Sequence, residues 1–105
     1  MSSAYRLTPR AREGLRDILE CVHASFGDAV AERVLDQLEE AFVMLAESPG
    51  AGHRREDITS DDRIRFWSVG PTLIAYRPTQ DSNVEILIVE RGERDWEARM
   101  EQERP

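Results

Sequence analysis

The first half of the chain carries apolar residues at helical spacing in two stretches. The first follows Thr8 and Pro9, which are typical of a helix N-cap and a first helical position, and it ends at Gly27. The second begins at Asp28, a residue that predicts a cap, and stops at Pro49. The two apolar stripes are Ala11, Leu15, Ile18, Leu19, Val22 and Phe26, then Ala31, Val34, Leu35, Leu38, Ala41, Phe42 and Leu45. Because the link between them is short, we expect an antiparallel helical hairpin.

Helical spacing disappears in the second half of the chain, where polar turns alternate with β-rich runs. The polar stretch 51–62 predicts a loop, and the runs 63–69, 72–77 and 84–89 predict three strands of an antiparallel meander. The last run is almost entirely apolar, which is typical of a strand covered on both faces. A short closing helix is expected over 95–103.

Together with a short strand at 5–7, this order of elements predicts an α+β domain in which the helical hairpin packs on the β-meander. The 105 residues are 40% hydrophobic and 33% charged, which suits a single domain over 1–105.

The lone Cys21 cannot form an internal disulfide. The chain has no apolar run of membrane-spanning length and no apolar stretch typical of a signal peptide, so we expect a cytoplasmic protein without a membrane partner.

The distribution of charge restricts the possible partners. A net charge of −7 argues against direct specific nucleic-acid binding, because a phosphate backbone would be repelled at long range. Residues 5–16 carry four arginines against one glutamate, whereas 28–47 carry six carboxylates against one arginine. All fourteen basic residues are arginine, so no lysine is present for proton transfer or Schiff-base formation.

Seven short blocks stand in a characteristic order and spacing along the chain. They are Tyr5–Ala11, Phe26-Gly27 with Ala31, Leu45–Gly52, Arg65–Gly70, Leu73–Arg77, Val84–Ile86 and Gly92–Asp95. In this order they resemble the ParE/RelE superfamily of bacterial toxins, and most closely its ParE branch. The resemblance implies the toxin component of a type II toxin–antitoxin system, neutralised by a cognate antitoxin. It also implies a non-catalytic toxin whose target is DNA gyrase.

An RNA-cleaving toxin of the RelE type is the alternative function. Attack by a 2′-hydroxyl needs a proton acceptor, a proton donor and cations for the developing charge. The resemblance implies that RelE-like nucleases use lysines, arginines and a tyrosine. Here Leu73 stands where they carry arginine, Trp96 where a C-terminal tyrosine is expected, and Ile88 where the last strand often ends in arginine. We therefore expect no catalytic residues, and a decayed toxin that only binds antitoxin is the third possibility.

Charged side chains near the N-terminus are the first candidates for contact with a partner. Arg10, Arg12 and Arg16 form a basic stretch that could attract an acidic antitoxin arm.

The two histidines, His23 and His53, lie on separate predicted elements without cysteines or carboxylates at ligand spacing. We therefore expect no metal and no other cofactor.

Two further groups of candidates belong to the meander and its exit. Arg65 and Tyr76 are either partner contacts or structural residues. The structural alternatives are an arginine that pairs with the acidic helix or solvates a sheet face, and a core tyrosine with a bonded hydroxyl. Arg91, Arg94 and Trp96 follow the last strand and combine charge with an aromatic anchor, although a solvated turn is the alternative there.

Overall fold

The computed structural model describes residues 5–80 and 83–91. Its elements are strand β1 (Tyr5–Leu7), helices α1 (Pro9–Phe26) and α2 (Asp28–Glu47), a 3₁₀ turn (Pro49–Ala51), and strands β2 (Arg65–Val69), β3 (Thr72–Pro78) and β4 (Val84–Arg91). This confirms the predicted α+β arrangement of a strand, two helices and three strands. The closing helix predicted at 95–103, together with Arg94 and Trp96, lies outside the described residues.

Thr8 connects the first strand, the first helix and the sheet. Its hydroxyl oxygen accepts a hydrogen bond from the Ala11 amide at 3.1 Å, which is the predicted N-cap. The same hydroxyl donates to the Leu87 carbonyl at 2.9 Å, and the Thr8 amide donates to the Ile86 carbonyl at 3.0 Å. Thr8 therefore fixes the start of α1 on β4.

The corner between the two helices depends on Gly27. Its φ of 89° lies in the left-handed region that favours glycine, and its amide donates to the His23 carbonyl at 2.9 Å. The expectation that Asp28 caps α2 is wrong, because Asp28 is the first helical residue and no side chain caps that end. The Asp28 carboxylate instead contacts Nε2 of His23 and lies near the positive end of the α2 dipole.

The four strands form one sheet in the order β1-β4-β3-β2. Strands β2, β3 and β4 make the predicted antiparallel meander, and β1 joins β4 in parallel. The helices pack on one face of the sheet, and the loop residues Ile58 and Ile64 pack on the other. Strand β4 is therefore an interior strand covered on both faces, as its apolar sequence predicts.

A β-bulge at Leu87 allows consecutive apolar residues of β4 to serve both faces. Ala75 pairs with Ile88 and Tyr76 pairs with Ile86, so Leu87 is the extra residue on β4. Ile86 packs in the core beneath the helices, whereas Leu87 and Ile88 both pack in the core on the opposite face. Strict alternation would instead place Ile86 and Ile88 on the same face.

Helix α1 passes β4 so closely at Gly14 that a methyl group has no room. A Cβ on Gly14 would lie 2.1 Å from the Val89 carbonyl oxygen. We expect Gly14→Ala to displace the helix and lower the free energy of unfolding, measured in urea, by about 1–3 kcal/mol. Gly50→Ala is the control, because nothing lies within 4 Å of a Cβ there. Equal losses in the two variants would refute the close-approach explanation.

Candidate functional site

A shallow surface groove lies between β1 and the two helices, and we name it the hairpin groove. Its lining residues are Leu7, Arg12, Leu15, Arg16, Leu19, Glu20, His23 and Ala31. Arg12 and Arg16 are exposed and lie about one helical turn apart on the rim. The three leucines and the alanine are half-buried and form the floor. The groove therefore offers an apolar strip beside two cations and the Glu20 carboxylate.

The hairpin groove lies beside an open edge of the sheet. Strand β1 pairs with β4 on one side, and no strand within residues 5–80 and 83–91 pairs with its other side. The opposite edge strand, β2, is partly covered, because Phe66 exchanges two backbone hydrogen bonds with His53, at 2.9 and 2.8 Å. An added strand would therefore find freer backbone groups at β1 than at β2.

Arg10 does not line the hairpin groove, and its contact with a partner together with Arg12 and Arg16 stays a prediction. Successive residues of a helix are rotated by about 100°, so position 10 faces a different direction from positions 12 and 16. Arg10 is half-buried and lines a separate groove between α1 and β4, together with Arg91. The acidic residues that line the same groove are Glu13, Asp17 and Glu90. This second groove therefore has mixed charge.

Tyr76 and Arg65 hold the segment that follows α2. The Tyr76 hydroxyl donates a hydrogen bond to the Pro49 carbonyl at 2.6 Å and accepts one from the Gly52 amide at 2.9 Å. Nη1 of Arg65 donates to the Gly52 carbonyl at 3.1 Å. Burial raises the pKa of Tyr76 above its ordinary value, against the smaller opposing effects of the Gly52 amide and the Arg65 charge. The pair thus fixes the loop that covers the edge of β2.

This geometry corrects the expectation that Tyr76 contacts a partner. The side chain is 0% exposed, so it offers no surface, and the structure supports the interpretation as a core tyrosine with a bonded hydroxyl. Arg65 is half-buried and bonds to the loop, whereas one of its two structural alternatives predicted a bond to a carboxylate of α2. Among the candidate arginines that the structure describes, Arg12 and Arg16 are exposed.

The described residues contain no cluster of side chains suited to a metal ion. Within residues 5–80 and 83–91, no three histidine, cysteine, aspartate or glutamate side chains are placed to hold a metal ion. His23 lies at the helical corner and His53 at the edge of β2. In the same part of the chain, none of the helices has the length and apolar character needed to cross a membrane.

Comparison with known proteins decides the family. A family model described as the ParE toxin of the type II toxin–antitoxin system parDE matches residues 5–96. The chain belongs to the ParE toxin family. Curated relatives named Toxin ParE1, from two strains of Mycobacterium tuberculosis, are 30% identical over 89 residues, which are 85% of this chain and 89% of theirs. The chain is therefore a toxin component of a type II toxin–antitoxin system.

Two solved structures have the same fold as this ParE-family toxin. A chain of the chromosomal ParDE system from P. aeruginosa aligns with a TM-score of 0.70 and 18% identity, over 87% of this chain and 97% of that chain. A variant of the E. coli toxin RelE, solved in complex with an antitoxin RelB peptide, aligns with a TM-score of 0.58 and 18% identity. The alignment covers 98% of this chain and 94% of that chain. At this identity the likeness concerns the fold.

None of the residues expected from the sequence to contact a partner of this ParE-family toxin belongs to the apolar floor of the hairpin groove. Periodicity assigns Leu15 and Leu19 to the core. It shows which side of a helix is apolar, but it does not show how much of that side the neighbouring elements cover. Val43, off the main stripe of α2, is 43% exposed, whereas the adjacent Met44 packs against the core. The sequence signal that could have indicated the groove floor was the width of the apolar stripe on α1.

Tyr76→Phe keeps the ring in the core and removes the hydroxyl that links Pro49 to Gly52. The buried Gly52 amide then loses its acceptor, so the free energy of unfolding in urea at neutral pH should fall by about 1–3 kcal/mol.

The same substitution also tests the raised pKa of Tyr76. The hydroxyl contributes its full stabilisation below the ordinary pKa of 10.0 and loses it as the pH rises through the higher pKa of the folded protein. The stability difference between wild type and Tyr76→Phe should therefore shrink in alkali. A difference that stays constant between about pH 8 and pH 11 would contradict this linkage.

Proposed function

We propose that the cognate antitoxin neutralises this toxin by placing an acidic arm with apolar side chains in the hairpin groove. We also propose that the free toxin inhibits DNA gyrase and does not cut nucleic acid. The observation that carries the antitoxin proposal is an apolar floor beside Arg12 and Arg16 in a chain whose net charge is −7. The gyrase proposal is supported by membership of the ParE family.

Electrostatics favours an acidic arm at this groove. The outer face of α2 exposes Glu32, Asp36 and Glu40, so it repels an acidic segment. Arg12 and Arg16 are a local exception that would orient such a segment during its approach. Charge complementarity of this kind raises the association rate more than it lengthens the lifetime of the complex.

The apolar floor would supply the longer-lived part of the contact. Leu15 and Leu19 are half-buried in the free toxin, and each Å² removed from water contributes about 25 cal/mol. The open edge of β1 can accept backbone hydrogen bonds from an extended segment. A disordered arm that folds on binding can cover both features at an entropic cost. The E. coli RelE variant, a toxin of the same fold, was solved in complex with an antitoxin peptide, which supports an antitoxin segment as the occupant.

Charge reversal on the groove rim should slow formation of the complex. For Arg12→Glu combined with Arg16→Glu, we expect the association rate constant at low salt to fall about tenfold or more, because attraction becomes repulsion. Loss of an anchor, Leu19→Asn, should mainly raise the dissociation rate constant. Both constants can be measured by biolayer interferometry with the antitoxin encoded beside the toxin gene. The matched control, Arg33→Glu with Arg54→Glu, makes the same change of net charge outside the groove.

Two results would contradict the groove assignment. If the control pair slows association as much as the rim pair, net charge alone steers the antitoxin. If the rim pair and Leu19→Asn both bind with wild-type rates while circular dichroism shows folded protein, the antitoxin binds elsewhere. The contact predicted at Arg91, Arg94 and Trp96 would then be tested next, and it stays a prediction because Arg94 and Trp96 lie outside the described residues.

The described residues support a RelE-type nuclease less well than a gyrase inhibitor. Tyr76, the tyrosine of the strand motif, is fully buried and its proton is donated to the Pro49 carbonyl. Leu73 occupies the position where RelE-like nucleases resemble one another in carrying arginine. The net charge of −7 also opposes approach to ribosomal RNA.

Purified toxin should inhibit gyrase and leave messenger RNA intact. We expect ATP-dependent supercoiling of relaxed plasmid to decrease as toxin is added and to recover with equimolar antitoxin, whereas mRNA in a translating-ribosome reaction should stay full-length. Heat-denatured toxin is the control in both assays. Ribosome-dependent cleavage with normal supercoiling would establish the RelE-type alternative. Failure in both assays with normal antitoxin binding would indicate a decayed toxin.

A further inference from the structure

The charges along the hairpin groove stand in a definite order. The exposed α1 residues that line it are Arg12, Arg16, Glu20 and His23, each three or four positions after the one before. Residues at this spacing lie on one side of a helix, so these side chains form a row along the groove. At a rise of about 1.5 Å per residue, the row extends roughly 16 Å from the β1 end of the groove to the helical corner.

The two ends of this row have opposite charge. Arg12 and Arg16 supply two cations at the end beside β1. At the corner end, Glu20 supplies a carboxylate, and a second carboxylate, that of Asp28, contacts Nε2 of His23. A segment that is negative along its whole length would therefore be attracted at one end of the groove and repelled at the other.

Ion pairs within the described part of the chain do not neutralise this row. Five arginines outside the groove form ion pairs with carboxylates at 2.8–3.6 Å, namely Arg6, Arg54, Arg55, Arg63 and Arg77. Within residues 5–80 and 83–91, by contrast, no ion pair involves Arg12, Arg16 or Glu20. The charges of these three side chains are thus left to interact with another molecule.

Any segment that fills the groove has to satisfy the Glu20 carboxylate. Leu19 belongs to the apolar floor, and Glu20 lies next to it on the rim. A segment that covers Leu15 and Leu19 displaces water from Glu20 as well. A carboxylate that loses water without gaining a hydrogen-bond donor costs free energy. A cation compensates best, because a charge-assisted hydrogen bond is about twice as strong as a neutral one.

We propose that the antitoxin segment in the hairpin groove carries a lysine or arginine that pairs with Glu20, in addition to the carboxylates that pair with Arg12 and Arg16. The segment then fits in one orientation, with its acidic end beside β1 and its basic end at the helical corner. The reverse orientation places like charges together at both ends. Glu20 is thereby a specificity-determining residue. This inference rests on the antitoxin-binding function proposed for the groove.

Glu20→Gln distinguishes a paired carboxylate from a repelling one, because it removes the charge and keeps the size of the side chain. If Glu20 pairs with a cation, the dissociation constant for the antitoxin encoded beside the toxin gene should rise about threefold or more, mainly through faster dissociation. Biolayer interferometry with the full-length toxin, made by cell-free synthesis, measures both rate constants. Glu40→Gln, at an exposed position of α2 outside the groove, is the matched control and should leave them unchanged.

Two results of this measurement would overturn the proposal. If Glu20 only repels an acidic segment, Glu20→Gln should speed association and lower the dissociation constant. If Glu20 stays hydrated in the complex, Glu20→Gln and Glu40→Gln should both bind as the wild type does.

A charge exchange tests the order of the row. Arg12→Glu combined with Glu20→Arg reverses this order and keeps the net charge at −7. The exchange does not oppose the dipole of α1, because it moves the carboxylate towards the N-terminus of the helix and the cation towards its C-terminus. We expect the dissociation constant to rise about tenfold or more. Arg33→Glu with Glu40→Arg is the matched exchange on α2 and should leave binding unchanged; equal losses in the two exchanges would contradict the proposal.

A compensating substitution in the antitoxin tests the contact itself. Binding lost in Glu20→Arg should be restored when one lysine or arginine of the antitoxin segment is changed to glutamate, provided that circular dichroism shows folded toxin. If none of these changes restores binding, the Glu20 contact does not exist.

Failure of this inference is distinguishable from failure of the groove assignment. If Arg12→Glu with Arg16→Glu and also Leu19→Asn weaken binding while Glu20→Gln does not, the antitoxin occupies the groove but does not pair with Glu20. If all of these variants bind as the wild type does, the antitoxin binds elsewhere, and both proposals fail.

Discussion

Strand β4 needs backbone hydrogen-bonding partners at both edges and apolar cover on both faces. The positions of the other elements depend on how these two needs are met. Strands β1 and β3 take its edges, while the helices and the loop residues cover its faces. The bulge at Leu87 divides consecutive apolar side chains between the two cores. Gly14 allows α1 to approach the Val89 carbonyl. The close packing of α1 on β4 therefore fixes the direction in which each face of α1 points.

The two edges of the sheet differ, and this difference separates structural side chains from those available to a partner. At β2, Tyr76 and Arg65 hold the segment that leads to His53, and His53 bonds to Phe66. At the other edge, β1 is short and is followed by Thr8, which ties the chain to β4. The open edge of β1 therefore adjoins the hairpin groove, where an apolar floor and exposed arginines coincide.

The sequence by itself determined the order and type of the elements, because the signals for these are local. Thr8 followed by proline marks the start of α1, and Gly27 marks its end through a backbone conformation that other residues avoid. The apolar run of β4 indicated burial on both faces, which depends on composition and not on register. The family was recognisable for a similar reason, since it rests on short blocks in a given order, and the family model matches residues 5–96.

Only the tertiary structure decided which side chains share a surface. Arg10 is close to Arg12 and Arg16 in sequence, but the rotation of about 100° per residue places it in another groove, beside Arg91 of β4. The burial of Tyr76 depends on a loop that returns to it from 24 residues earlier. The hairpin groove exists because the neighbouring elements cover only part of the apolar stripe of α1. Periodicity reports the direction of such a stripe, whereas its coverage depends on where distant segments pack.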